Sequence, residues 1–258
     1  MLIDGKQMHI QCVRGDVGRY VILPGDPGRC ESIARYLENP RHVTQNREFN
    51  VYTGSLDGVP VSVCSTGIGG PSAAIALEEL VECGADTFVR VGTSGGIVDK
   101  VCGGDVVIAT ASVRQEGTSR EYMPIEYPAA ADFEVTAALR AAAATLGYRH
   151  HVGVIQSKDS FYGEIRPGKQ PVAPELTAKW AAWKAAGVLT SEMECAALFV
   201  VGATLGVRCG AVLNVLWNAD NDEAPNIPPE AAERGIRTAT EALRLLIWQD
   251  KTGGRQEN

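Results

Sequence analysis

The chain has 258 residues, 45% of them hydrophobic, and a formal net charge of −7. That is enough for one α/β domain spanning 1–258, while charge spread without a basic run excludes a nucleic-acid groove. No apolar stretch reaches membrane-spanning length, no signal peptide is read, and seven cysteines without a CxxC pair exclude a disulfide framework and fit a reducing, cytoplasmic setting.

Residues 1–18 are mostly polar and read as an arm. Tyr20–Leu23 predicts a strand and Gly28–Leu37 a helix. Arg41–Gln45, Glu48–Leu56 and Val59–Ser65 predict strands, with Asp57-Gly58 a hairpin turn between the last two. Pro71 suits the first position of a helix running to Cys83 and closed by Gly84. A strand follows around Arg90, and another over Val106–Ala111. Asp132 caps a helix over Phe133–Leu146, which Gly147 closes. Val152–Gln156 reads as a strand, 160–174 as a loop, and Glu175–Ala186 and Met193–Leu205 as helices. Cys209–Leu213 is a buried strand, Asn218–Pro229 a polar loop and Glu230–Trp248 the last helix, with 249–258 a disordered tail. Strands alternating with helices predict a three-layer αβα sandwich around a central mixed β-sheet.

Chemistry concentrates where Phe88-Val89-Arg90-Val91 meets Gly92-Thr93-Ser94-Gly95-Gly96. A guanidinium keeps its charge, so a buried one needs an anionic partner. After it the chain is expected to turn, offering two hydroxyls and amides that small residues leave accessible. Cation, hydroxyls and bare amides at a strand's C-terminal end describe an oxyanion site, although an arginine–carboxylate pair beside an ordinary glycine turn fits this segment equally well.

Other segments weigh on that choice. In Pro24-Gly25-Asp26-Pro27-Gly28-Arg29, Gly25 can turn its N–H to an anion and Arg29 lies on the first helical turn. Gly67-Ile68-Gly69-Gly70-Pro71-Ser72 invites a dinucleotide reading. Its sixth position is Ser rather than Gly or Ala, and no acidic residue ends a strand about 20 positions later, so that reading is set aside. Glu192-Met193-Glu194 can offer a thioether to a sugar face and a carboxylate to vicinal hydroxyls, or simply a helix cap and a core methionine. Phe161-Tyr162-Gly163-Glu164-Ile165-Arg166 can stack on a base and donate to a carbonyl.

Together with the Arg90 segment, the Pro24–Arg29, Thr66–Pro71 and Glu192–Glu194 segments resemble the nucleoside phosphorylase family, most closely its uridine branch, from about Tyr20 to Ile247. The resemblance implies phosphorolysis of uridine to uracil and ribose 1-phosphate, without an organic cofactor, in a hexamer built as a trimer of dimers. It implies that phosphate meets Gly25, Arg29, Arg90 and Thr93, with Arg47 arriving from a neighbouring subunit. Met193 and Glu194 would hold the ribose, with His9 reaching a neighbour's 5′-hydroxyl. Phe161, Glu164 and Arg166 would meet the base, and Arg90, Arg166 and Glu194 would carry the catalytic load. Glu48, Ile68 and Ser72 match positions for a monovalent cation, K+, at the dimer interface.

Two departures from the family follow. Glu164 stands where the uridine branch has glutamine, and a carboxylate only accepts hydrogen bonds. Glu164 is therefore protonated or turned away, or Lys169 or Gln170 replaces it. Asn218 stands where the purine branch has an acid, which predicts pyrimidine preference. Ala219 replaces the arginine that usually follows, and Asp220 is the alternative acid in a shifted loop. A nucleosidase, a purine phosphorylase or a non-catalytic nucleoside sensor are the competing classes.

Overall fold

The computed structural model describes residues 2–218 and 229–253. Strands β1 (Leu2–Ile3) and β2 (Lys6–Gln7) form a small hairpin, followed by β3 (Tyr20–Pro24) and, after a 3-10 turn at Pro27–Arg29, helix α1 (Cys30–Ala34). Then come β4 (Glu38–Asn46), β5 (Phe49–Leu56), β6 (Val59–Cys64), α2 (Gly70–Glu82) and β7 (Thr87–Gly96). Next are β8 (Val106–Gln115), α3 (Thr118–Tyr122), β9 (Ala129–Ala130), α4 (Phe133–Thr145) and β10 (His150–Lys158). The chain continues through α5 (Phe161–Ile165), α6 (Ala173–Ala185), β11 (Thr190–Glu192), α7 (Cys195–Leu205), β12 (Arg208–Trp217) and α8 (Pro229–Thr252).

All strands but the first two join one mixed sheet in the order β11-β10-β8-β12-β7-β3-β6-β5-β4, with β9 beside β8. The expected architecture is therefore present: a central mixed sheet with helices on both faces. Strand alternation explains the layers. Val21, Leu23 and Phe88 face the cluster that contains α2 and α7, whereas Tyr20, Ile22, Val89 and Val91 face α1, α4 and α8. Helix α7 is buried along its length from Cys195 to Gly202, which is why its sequence is apolar all round.

The sheet has one feature beyond a sandwich. β11 pairs parallel with β10 and antiparallel with β7, so β7, β12, β8, β10 and β11 form a closed curl. β3, β6, β7 and β12 run parallel, and their C-terminal ends share one edge of the sheet. The curl brings the end of β10 to that same edge.

Several expectations are corrected. The Gly92–Gly96 stretch does not turn. It stays in β7, because Gly95 and Gly96 pair with Ser191 and Thr190 of β11. The 160–174 loop contains α5 and a 3-10 turn at Pro167–Lys169. The arm is folded onto the body: Ile10 and Cys12 are fully buried, and the amides of His9 and Ile10 donate to the Glu79 carboxylate at 2.9 and 2.8 Å. The tail expected from 249 instead continues α8 to Thr252, because Asp250 accepts from Tyr20 Oη at 2.6 Å and from Arg208 Nη2 at 2.5 Å. Residues 254–258, and 219–228 with Ala219 and Asp220, lie outside the described residues.

Candidate active site

A cleft of about 940 Å³ opens at the shared C-terminal edge of the strands, within the size range of small-molecule sites. Gly25, Arg29, Arg90, Thr93, Glu194 and Met193 all line it.

Arg90 is placed by strand periodicity. It shares a face of β7 with Phe88, so it points toward α2 and α7. Gly92 follows on that face, where a side chain would strike Leu213 Cδ2 at 2.6 Å and crowd the guanidinium. Arg90 Nη2 donates to Glu194 Oε2, and Nε lies 3.4 Å from Glu192 Oε2 without forming a hydrogen bond. Burial works against the charge of Arg90, but Glu194 and Glu192 outweigh it and hold its pKa above the ordinary arginine value.

Arg29 follows the first strand, on a turn whose Asp26 side chain accepts from Gly28 N at 2.8 Å. Burial, and then the like charge of Arg90, push its pKa down. Its Nη2 is buried with no protein partner. Buried donors are nearly always paired, so two guanidiniums each with an orphan N–H beside one cleft call for an anion. Gly25 backs the same place: a Cβ there would lie 3.9 Å from both terminal nitrogens of Arg90.

The two glutamates have separated roles. Glu192 accepts from the amides of Glu194 and Cys195 at 2.8 and 2.9 Å, and so caps α7. Glu194 accepts from Gly69 N at 2.6 Å and from Arg90 while still facing the cleft. Gly69, at φ +91°, spends its amide on this carboxylate, which accounts for the glycine motif without a dinucleotide. Burial raises the pKa of Glu194; Arg90 opposes this and Glu192 adds to it.

Other predicted residues are distributed differently. Phe161 and Glu164 line the cleft, Phe161 half exposed on α5. Arg166 does not line it; its guanidinium stacks over Tyr162, 5.1 Å from the ring centroid, because α5 ends one residue earlier and turns it outward. Lys169 and Gln170 are also off the cleft. Glu164 is neither turned away nor replaced: its Oε2 lies 2.8 Å from Lys158 Nζ and 2.6 Å from Ser191 Oγ. Asn218 is buried, and its amide donates to Val98 O and Val101 O at 3.0 and 2.7 Å, so it does not line the cleft. Pyrimidine preference therefore does not follow from Asn218.

His9 lies outside its own chain's cleft, with Nδ1 2.7 Å from Glu79 Oε1. Arg47 is exposed at φ +53° at the tip of the β4–β5 hairpin, also off this cleft. Glu48 and Ile68 line the cleft edge, and Ser72 Oγ donates to Glu48 Oε1 at 2.7 Å. No group of three or more His, Cys, Asp or Glu side chains suited to a metal occurs among the described residues.

Sequence reasoning missed Lys158. It is buried at the C-terminal end of β10 and lines the cleft. Its local signal is weak, since Lys158 follows the polar pair Gln156-Ser157 at the end of β10, and only the closed curl brings β10 to the site.

Fold and site together define an α/β protein whose cleft, at the C-terminal edge of the parallel strands of a mixed sheet, holds two incompletely paired guanidiniums. The chain belongs to the phosphorylase superfamily, whose family model matches residues 19–247. It is 53% identical over 246 residues to a uridine phosphorylase of Treponema pallidum, with 95% of each chain covered. It is 45% identical over 250 residues to a uridine phosphorylase of Thermococcus kodakarensis, covering 96% of this chain and 89% of that one. It is also 39% identical over 250 residues to a guanosine phosphorylase of Halorubrum lacusprofundi, covering 93% and 99%. No described helix is long and apolar enough to cross a membrane.

Proposed function

We propose that this chain catalyses the phosphorolysis of uridine and related pyrimidine nucleosides, as a pentosyltransferase of nucleoside salvage. The observation that carries the reading is the pair of orphan guanidinium N–H groups, on Arg29 and Arg90, beside Gly25, Thr93 and the Glu194 carboxylate. Water needs no such cations, so a nucleosidase would leave them without a purpose. Relatives bearing the uridine phosphorylase name over nearly the whole length support the substrate.

In this reading phosphate lies against Arg29, Arg90, Gly25 and Thr93. Glu194 accepts from the ribose hydroxyls, Met193 packs on the sugar, and Phe161 stacks on the base. A phosphate oxygen bonds to C1′ as the C1′–N1 bond breaks. The electron pair leaves with uracil, which takes a proton from solvent, and ribose 1-phosphate remains. Positioning and electrostatics supply the catalysis, with no covalent enzyme intermediate.

The cleft's central charges, Arg29 and Arg90 against Glu192 and Glu194, sum to zero, so a dianion calls for further cation. Arg47 of a neighbouring copy would supply it, which fits a homohexamer whose paired subunits complete each other's sites, with His9 reaching across in the same way. One chain offers a cation only Glu48, Ser72 and the Ile68 backbone, so K+ would need matching oxygens from the second copy. Free cysteines, six of them buried, support a reducing cytoplasm.

The test is uridine turnover with and without inorganic phosphate, run beside thymidine. Uracil release that depends on phosphate and yields ribose 1-phosphate is expected. Equal release in its absence would make the chain a nucleosidase, and no turnover would leave binding only.

A further inference from the structure

Arg29 reaches the cleft from a turn that has little of its own to hold it. None of Pro27, Gly28 and Arg29 is buried as a residue. The turn's own hydrogen bonds are local: Asp26 Oδ1 accepts from Gly28 N at 2.8 Å, Asp26 O from Arg29 N at 3.1 Å, and Arg29 O from Ser32 Oγ at 2.9 Å. A short 3-10 turn closes on few bonds of poorer geometry than those of an α-helix, so local bonds fix it weakly. From outside the segment, buried Asn50 of β5 donates from Nδ2 to Pro27 O at 3.1 Å. Pro27 O already accepts from Cys30 N, so this carbonyl is satisfied without Asn50. What the added bond supplies is the place of the turn.

Asn50 is itself firmly held. It shares a face of β5 with Tyr52 and Leu56, which pack in one cluster with Cys30 and Ile33 of α1. Its backbone N donates to Ser65 Oγ at 2.8 Å, and its O accepts from Ser65 N at 3.2 Å. Its Oδ1 lies 3.0 Å from Nε2 of His42, on the edge strand β4. A carbonyl only accepts, so the amide nitrogen must face Pro27 and the amide oxygen must face His42. His42 therefore carries a hydrogen on Nε2, and it donates there whether neutral or charged. Its ring lies against Tyr52, with centroids 4.9 Å apart. A chain of contacts thus runs from His42 at the sheet edge, through Asn50, to the turn that bears Arg29.

We propose that Asn50 is a positioning residue of the anion site: it fastens the Pro27–Arg29 turn to the sheet and so fixes where Arg29 delivers its orphan Nη2 donor. The assignment rests on the reading of the cleft as a phosphate site. Asn50 does not line the cleft, so it acts through Arg29 and not on the anion itself. Arg29 is under strain of charge, pushed by burial and by Arg90, and a guanidinium so placed relaxes away from its neighbour unless its backbone is held. Small displacements of a charged donor weaken its contact steeply, which is why a binding group needs a fixed support behind it. Because Pro27 O keeps Cys30 N and His42 is exposed enough to turn to water, removing the Asn50 side chain should fall on position more than on stability.

The direct test is binding of inorganic phosphate to the full chain, read by titration calorimetry. Asn50→Ala is expected to weaken it about three- to tenfold, the size of one lost hydrogen bond, with KM for uridine at saturating phosphate unchanged. Asn50→Leu, close in shape but without polar groups, should lose as much. Coupling is then read as kcat/KM for phosphate at saturating uridine. If Asn50 acts through Arg29, Asn50→Ala should cost nothing further in an Arg29→Ala background, and the same loss as before in an Arg90→Ala background. Unchanged phosphate affinity in either Asn50 variant, full additivity with Arg29→Ala, or an equal rise in KM for uridine would overturn the assignment while sparing phosphorolysis. Phosphate binding that Asn50→Ala weakens, without any phosphate-dependent cleavage of uridine, would sink the phosphorolytic reading and leave the assignment standing. No phosphate binding to the unmodified chain would end both.

Discussion

Two buried arginines sit on neighbouring parallel strands, and they differ in how completely they are paired. Arg208 begins β12 opposite Thr87, whereas Arg90 stands three residues further along β7, opposite Ala211. Arg208 is saturated: it donates to Thr87 Oγ1 at 3.0 and 2.8 Å, to both oxygens of Asp250, and to Glu134. Arg114 on β8 is equally occupied, through Ser119 and the carbonyls of Pro124, Tyr127 and Met123. Arg90 alone of these three keeps a buried N–H without a hydrogen-bond partner, its Nε being held only at ion-pair distance from Glu192. Burial therefore does not distinguish these arginines, but incomplete pairing beside the cleft sets Arg90 apart.

The largest effect expected from this contrast falls on stability. Arg208→Ala strands Asp250 in a buried place and should cost about 3–5 kcal/mol, read from the denaturant midpoint at constant slope. The surviving folded enzyme should keep its kcat/KM. An active-site defect with normal stability would reverse the assignment.

Arg90→Ala should act on catalysis. Loss of a charge-assisted contact is worth about 1.5–3 kcal/mol, or roughly ten- to a hundredfold in kcat/KM at low phosphate. If the variant's phosphate dependence matches that of the unmodified enzyme, Arg90 is not a ligand.

A finer comparison sets Arg90 against Arg47. Mixing Arg47→Ala with Arg90→Ala protomers should regain activity, since one of the two sites in each mixed pair then has both arginines. No recovery after proven subunit exchange would place the whole site within one chain.

The smallest effect is in pH. Glu194 must be ionised to hold Arg90 and accept from the sugar, and burial raises its pKa above the ordinary 4.5. The acid limb of kcat/KM should therefore lie above that value, and Glu194→Gln should lower the plateau and abolish the limb. For folding the sign runs the other way. The native state holds this proton to higher pH than the unfolded chain does, so the group's contribution falls as pH rises from 4.5 to its raised value. A limb at or below 4.5 would show that Arg90 outweighs burial.

The fold was largely legible because its signals are local. Apolar runs gave the strands, Asp132 and Gly147 bracketed α4, and Arg90 betrayed itself as a charge within a buried strand. Boundaries failed where distant partners intervene. β7 continues through its glycines because β11 pairs with them, and α8 continues to Thr252 because Asp250 meets Arg208 and Tyr20.

By itself, then, the sequence determined the sheet-and-helix architecture and marked Gly25, Arg29, Arg90 and Thr93 as candidates, because they lie after β3 or along β7, whose C-terminal ends meet at the cleft. Only the tertiary structure decided which glutamate caps α7 and which faces the cleft, that Arg166 stacks outward on Tyr162, and that Lys158 stands against Glu164. The Lys158–Glu164 contact sits at the curl closed by β11, where Thr190 meets Gly95 across 95 residues of sequence, a pairing that no local pattern records.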